Sequence, residues 1–475
     1  MVDVCVLGDG LPELVAALDL AEVGLSVRVL TSAPEAAEAA WTALDPRGVP
    51  DPDGALRELL THLAAPLAPG AVAHETVRAV ERVPRPVLLR GPRGEWAPQS
   101  EPSVLGIPAV PVSTRAIALL GAGAALRAYL DRLKPVLTIG KTHSLGALVR
   151  SRMGKVALDR LVEPLVRERF GADADAVEVP IAAPGLNEAL TRVGSLSGAV
   201  LALADRDVAR ETRVAPAGGW LELREALLQR LALYDVGFAP CTAGVAHRSE
   251  QGEWELTGET PSGAEYPAGS APEAVAHPAE AMRARALVIG ASAASIAVPG
   301  LAQLPAVLAQ RRLRVSGRIP IEAPALPAEP GDLDAVETIE SPEGERWSLR
   351  LERDAEGWSA RLAGPVLPAE ATAPSPAAAR ERLQAVLAAA GLRAREPRGA
   401  DAAGERAPQQ GVSTAAHGSI GQRDAMLSAL RELHAEEPSV VLVGSELHGG
   451  DLAQALAAAR SETVQLRRRL TGISG

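Results

Sequence analysis

The sequence predicts an α/β fold, α+β overall, and three observations carry that expectation. The chain opens "VDVCVLGDGLPELVAALDLAEVGLSVRVL": an apolar strand, a glycine turn, a helix and a second apolar strand. Near its far end, "SVVLVGSELHGGDLAQALAAARSE" repeats the strand–glycine–helix order. Between the two lie a long helical stretch and several runs that alternate apolar and polar residues, the pattern of half-buried hairpins.

The first of these units is the most informative. Residues 2–7 are a short apolar run, as a fully buried parallel strand requires. Gly8 and Gly10 permit a tight turn and close backbone approach to an anion. A helix expected over 14–22, stopped by Gly24, would aim its N-terminal amides at that spot. The unit is therefore Rossmann-like, and Gly8, Asp9, Gly10, Leu11 and Thr31 are the candidate contacts to a dinucleotide. Two features depart from the pattern. Glu13 stands where a third glycine lets helix and strand pack closely; an acid there suits the helix dipole but repels a pyrophosphate. The second strand ends "VLTSAP" where an acidic residue would hold the ribose hydroxyls, so Thr31 and Ser32 offer only weaker hydroxyl bonds. From the turn alone, a working nucleotide site and a Rossmann-like unit with no nucleotide both remain open.

The following elements are read in order. "SAPEAAEAAW" is a short helix, "DPRGVPDPDG" a loop, and "ALRELLTHLAAPL" an amphipathic helix. "VPRPVLLRGPRGEWAPQ" is a hairpin turning at Gly91 to Gly94, and the chain is mostly helical from Thr114 to about Leu201. "PAGGWLELREALLQRLALYDVGF" is a glycine-led helix followed by a strand, and "GVAHRSEQGEWELTGE" a hairpin around Gln251 and Gly252. The uncharged run from Ala286 to Gln310 is long enough to cross a bilayer, but Gly290, Pro299, Gly300 and Pro305 and its β-type start "ALVIGA" make it a core strand and loop. "EAPALPAEPGDLDA" and "GPVLPAEATAPSPAA" are surface connections flanking the hairpin "WSLRLERDAEGWSARLAG". "AARERLQAVLAAAG" is a helix and "PRGADAAGERAPQQGVSTAAHG" a loop.

Bulk properties narrow the function. A length of 475 residues favours two or three domains, and 47% hydrophobic with 23% charged residues is ordinary for a globular chain. The net charge of −11 argues against a nucleic-acid partner and for a soluble, cytoplasmic protein. Cys5 and Cys241 form neither a disulfide framework nor a metal-ligand spacing, so no metal is expected. The start "VDVCVLG" is not a secretory signal, and no transmembrane span is expected.

The central stretch "TIGKTHSLGALVRSRMGKVALDRLVEPLVRERFGADADAVEV", followed by "PGLNEALTRVGSLSGAV", resembles the protoporphyrinogen oxidase family of the FAD-dependent amine-oxidase-like superfamily. Arg152, Gly154, Pro164, Gly171, Asp173, Asp175, Gly194 and Ser195 match that family's pattern in order. "SVLGIPAVPVS", "PAGGWLELREALLQRL", "RAPQQGVSTAAHG" and the C-terminal glycine turn are similar to further family segments, leaving roughly 310–400 unmatched.

The resemblance implies an FAD-binding domain assembled from 1–75, 206–300 and 405–475. It also implies a mixed-sheet substrate-binding domain from 76–112 and 301–404, and a helical domain over 113–205. It implies FAD as cofactor, a tetrapyrrole or other small-molecule substrate, and oxidation of protoporphyrinogen as in haem biosynthesis. By position, Val245 would meet the adenine end, Gly444 and Gly450 would let the last loop approach the flavin, and Arg85 would meet a substrate carboxylate. His143 and His448 are further titratable groups, while no catalytic residue is assigned. Peripheral membrane contact and a protein partner are compatible with it. Against it stand Glu13, the missing ribose acid, and "AAEAAWTALDPRG" in place of the cofactor-wrapping R-x-GG loop; Ser445 also replaces an Asn. The alternative is a flavin-free relative that has kept the scaffold, lost FAD and binds a porphyrin or a partner protein.

Overall fold

The computed structural model describes all residues except 32–33, 67–72, 136–142, 241–242, 260–281, 293–295, 327–332, 355–356, 396–408 and 473–475. Ser32 and Cys241 lie outside the described residues. The chain forms a mixed α/β structure of two compact units, 1–83 with 211–311 and 424–475, and 84–210 with 312–423.

The first unit is built on a sheet whose parallel centre is Gly237–Pro240, Val27–Thr31, Val2–Leu7 and Met282–Gly290, with Val440–Val443 beside the last. The opening strand is valine-rich and its last four residues are fully buried, as a strand covered on both faces demands. The helix Leu11–Ala21 packs on it through Leu14, Val15, Leu18 and Ala21. That helix starts a turn earlier than the sequence indicated, because Pro12 fits the first helical turn, where its missing N–H costs nothing. The run beginning "ALVIGA" is the central strand Met282–Gly290, and among the described residues no helix is long and apolar enough to cross a membrane. Strands Ala243–Arg248 and Trp254–Glu259 make the expected hairpin. A three-stranded sheet of Val49–Pro50, Arg213–Pro216 and Ala79–Arg82 has no sequence signature long enough to read.

The second unit carries a seven-stranded sheet in the order Gln409–Thr414, Leu313–Ile321, Gly357–Val366, Arg346–Asp354, Ala335–Glu340, Leu88–Arg90, Trp96–Pro98. Val315, Ile319, Ile321, Leu349, Leu351 and Leu362 pack against Ala379, Leu383, Val386 and Leu387 of the helix Pro376–Ala389. Gln409–Thr414, a loop by its sequence, is an edge strand whose pairing with Leu313–Ile321 is set by tertiary contact and not by its own glycine-containing sequence. The helices between Thr114 and Glu211 bury a separate leucine–valine core around Leu148, Val149, Leu161, Val166 and Leu196.

Candidate functional site

In the first unit the carboxyl ends of Val2–Leu7, Met282–Gly290 and Val440–Val443 lie side by side, with Leu7 in register with Ile289 and Gly290 with Val443. Two of these strands lead through glycine turns into the helices Leu11–Ala21 and Leu452–Leu470. In α/β sheets, ligands bind outside such strand ends, where helix amides converge. Gly8 (φ 113°) and Gly444 (φ 137°) hold backbone conformations that a side chain would strain.

Glu13 occupies the centre of this arrangement. Its side chain is 2% exposed, and a Cβ placed on Gly10 would stand 2.5 Å from Oε2. A Cβ on Gly290 would overlap Oε1 and lie 3.0 Å from Cδ. The carboxyl thus fills the gap that two glycines leave between the turn and the central strand. Burial, then the charges of Glu446 and Asp9, push its pKa up to about 8, partly offset by a hydrogen bond from its own N–H. Asp9 is itself 6% exposed, and its carbonyl accepts a 3.0 Å bond from Trp41 Nε1. Trp41 belongs to the helix Pro34–Thr42.

Several of the amides that would meet an anion are engaged, although Gly10 and Leu11 N–H are not among them. Pro12 has none, Glu13 N–H binds its own carboxyl, and Gly8 N–H donates to Leu30 O at 2.9 Å. At the second junction Asp451 caps its helix by accepting from Gln454 N–H at 3.0 Å, and Gly450 N–H donates to Ser445 O at 2.8 Å. A cation of the region is Arg311, whose Nη1 donates to Ala291 O at 3.0 Å; desolvation lowers its pKa, and Glu446 favours its charge.

These residues do not fit the diphosphate of FAD. An anion at the first turn would meet a buried carboxyl instead of a glycine gap, and two further acids facing the same place. Once the Glu13 carboxyl ionises, above about pH 8, a like charge about 5 Å away costs about 3 kcal/mol at an effective dielectric of 20, or roughly two decades in affinity; below that pH the obstacle is the volume it fills. The ribose end offers no compensation, since the Thr31 hydroxyl donates to Ala239 O at 3.5 Å.

The remaining candidates are placed as follows. Val245 is flanked by strands on both sides, in register with Thr257 and Ala297. Arg85 is exposed and belongs to the second unit, as does the exposed His143, while His448 is half-buried in the C-terminal turn. Sequence reasoning missed Trp41, Gly290, Glu446 and Asp451; the only signals for them are an indole in an alanine run and a glycine closing a β run.

The residues that carry the family resemblance build scaffold. Arg152 is buried and donates to Asp131 Oδ1 at 3.2 Å, Lys134 O at 2.8 Å and Pro135 O at 3.2 Å. Gly171 ends the helix Glu163–Phe170, Pro164 begins it, and Ser195 Oγ accepts Gly198 N–H at 3.2 Å. Asp173 pairs with Arg346 at 3.2 Å and Asp175 with Arg150.

No protein-family model matches the chain, and no curated protein matches it in sequence. Among solved structures it is similar to a protein of Exiguobacterium sp. 255-15, provisionally described as a protoporphyrinogen oxidase. That pair shares 16% identity and a TM-score of 0.63, with 98% of this chain and 99% of that one covered. An oxidoreductase from Methanosarcina mazei aligns at 11% identity and TM-score 0.50, over 97% of this chain and 99% of that one. The likeness is one of fold.

Proposed function

We propose that this chain is a flavin-free protein on an oxidoreductase scaffold, one that binds a small molecule or a protein partner without redox turnover. The observation that carries the reading is the Glu13 carboxyl lodged between Gly10 and Gly290, where a dinucleotide's phosphate would need open backbone. A scaffold that keeps its packing residues while an acid of its own fills the glycine gap has the marks of a binding protein. The ligand class that the sequence resemblance offers is a tetrapyrrole, and the three-part division into 1–75/206–300/405–475, 76–112/301–404 and 113–205 belongs to the same proposal.

The test is the visible spectrum of the purified protein before and after incubation with FAD, with protoporphyrin titrated separately. The expected result is a colourless protein that gel filtration separates cleanly from added FAD. A yellow protein with stoichiometric flavin overturns the reading.

A second reading, an FAD-dependent oxidase of the protoporphyrinogen oxidase type, is favoured by one observation. With its pKa near 8, Glu13 is mostly uncharged at neutral pH, so the repulsion it offers a phosphate falls there. Flavin retention that weakens steeply above pH 8 would support this second reading.

A further inference from the structure

In the second unit one face of the seven-stranded sheet carries a row of arginines. Arg318, Arg361 and Arg350 stand directly opposite one another on three adjacent strands. All three have carboxylate partners, Arg361 reaching Glu352 at 3.3 Å. Arg350 donates to both oxygens of Glu168 at 2.5 and 2.8 Å and to Asp334 at 2.7 Å. Arg318 reaches Glu352 at 2.8 Å and Asp354 at 2.5 Å.

Arg312 and Arg314, two residues apart at the start of strand Leu313–Ile321, differ. Among the described residues neither has a carboxylate within ion-pair distance. Arg312 donates to the carbonyl of Ala416, and Arg314 Nη1 to the carbonyl of Glu168 at 2.7 Å. Arg314 Nε is buried with no acceptor. Glu168 is the one carboxylate that favours the charge of Arg314, and Arg350 already holds both its oxygens. Arg312 and Arg361 oppose that charge.

A helix-capping role accounts for part of this. Glu168 O lies in the last turn of Glu163–Phe170, where a cation suits the dipole. It explains one N–H of Arg314 and none of Arg312. Buried charges in folded proteins are paired or bind something charged. Neither residue is fully buried, so part of the pair meets solvent. Gly418 leaves room beside Arg312: a Cβ there would sit 3.6 Å from Nη1.

We infer that Arg312 and Arg314 form a binding site for an oxyanion, the carboxylate or phosphate group of a small acidic ligand. Two guanidiniums with free N–H groups offer the forked donors that such a group accepts bidentately. The site is independent of the flavin question, since its residues belong to the second unit.

Isothermal titration calorimetry of the full chain with succinate, inorganic phosphate and sodium chloride at matched ionic strength tests it. Saturable one-site binding of succinate or phosphate, absent with chloride and weakened at least tenfold in both Arg312→Gln and Arg314→Gln, is the expected result; which anion binds tighter identifies the source chemistry. The exposed Arg115→Gln, whose side chain pairs with Glu101, should bind as the parent does. If Arg314→Gln fails to fold, Arg312→Gln alone decides. No saturable heat, equal heats with chloride, or unchanged affinity in the variants overturns the inference.

Discussion

The carboxyl of Glu13 has a place inside the protein because position 290 carries no side chain: Gly290 ends the central strand where the acid enters from the first helix. The two positions are coupled, and the coupling can be measured. Gly290→Ala puts a methyl into the Glu13 carboxyl and should destabilise the chain by about 1–3 kcal/mol, the usual cost of overpacking. In Glu13→Ala the same substitution should cost much less. A double-mutant cycle by urea unfolding checks this, and strictly additive losses would show that the two residues do not share the space.

The raised pKa of Glu13 gives stability a defined pH dependence. Folded, the group holds its proton to about pH 8, whereas unfolded it releases it near 4.5. Between these values the folded state binds the extra proton, so stability falls as pH rises, by up to about 1.4 kcal/mol per pH unit from this group. Glu13→Gln mimics the protonated form. Its advantage over the parent should grow from pH 5 to pH 8 in thermal unfolding. Parallel curves for the two proteins across that range would refute the assignment.

How much of this was legible beforehand differs between scaffold and site. The strand Val2–Leu7, the hairpin Ala243–Arg248 with Trp254–Glu259 and the helix Trp220–Ala232 follow from local periodicity, and the sequence showed them. Glu13 was visible as a misfit, because one residue type in one turn position is a local fact. Its partner Gly290 was not, since 277 positions separate them and only the parallel register of two strands brings them together. Trp41 was hidden for the same reason: nothing in "AAEAAWTALDPRG" says which carbonyl its indole reaches.

The buried pair Asp131–Arg152 anchors the helical region of the second unit. Asp131 is fully buried and accepts the amides of Leu196 and Ser197 at 2.5 and 3.1 Å, capping a helix 65 residues away, while Arg152 neutralises it. Asp131→Ala strands a buried guanidinium and two amides, and should cost about 3–5 kcal/mol. Arg152→Met with Asp131→Asn should cost less than the two single changes combined. Urea midpoints with unchanged slopes check it, and a loss under about 1 kcal/mol for Asp131→Ala would show the pair to be incidental.

Trp41 makes the last prediction, because it ties the helix Pro34–Thr42 to the glycine turn. Its indole is 1% exposed and donates to the Asp9 carbonyl at 3.0 Å. Trp41→Phe keeps an aromatic ring but removes the donor, leaving a buried carbonyl without that partner at a cost of about 1–3 kcal/mol. A lost packing contact alone would lower global stability without singling out the turn. A lost tether should also speed amide hydrogen exchange locally, over residues 8–14, under conditions where the rest of the first unit stays protected. Native-state exchange by mass spectrometry separates the two. Uniform acceleration across the unit would mean that Trp41 only fills space, and that something else fixes the turn around Glu13.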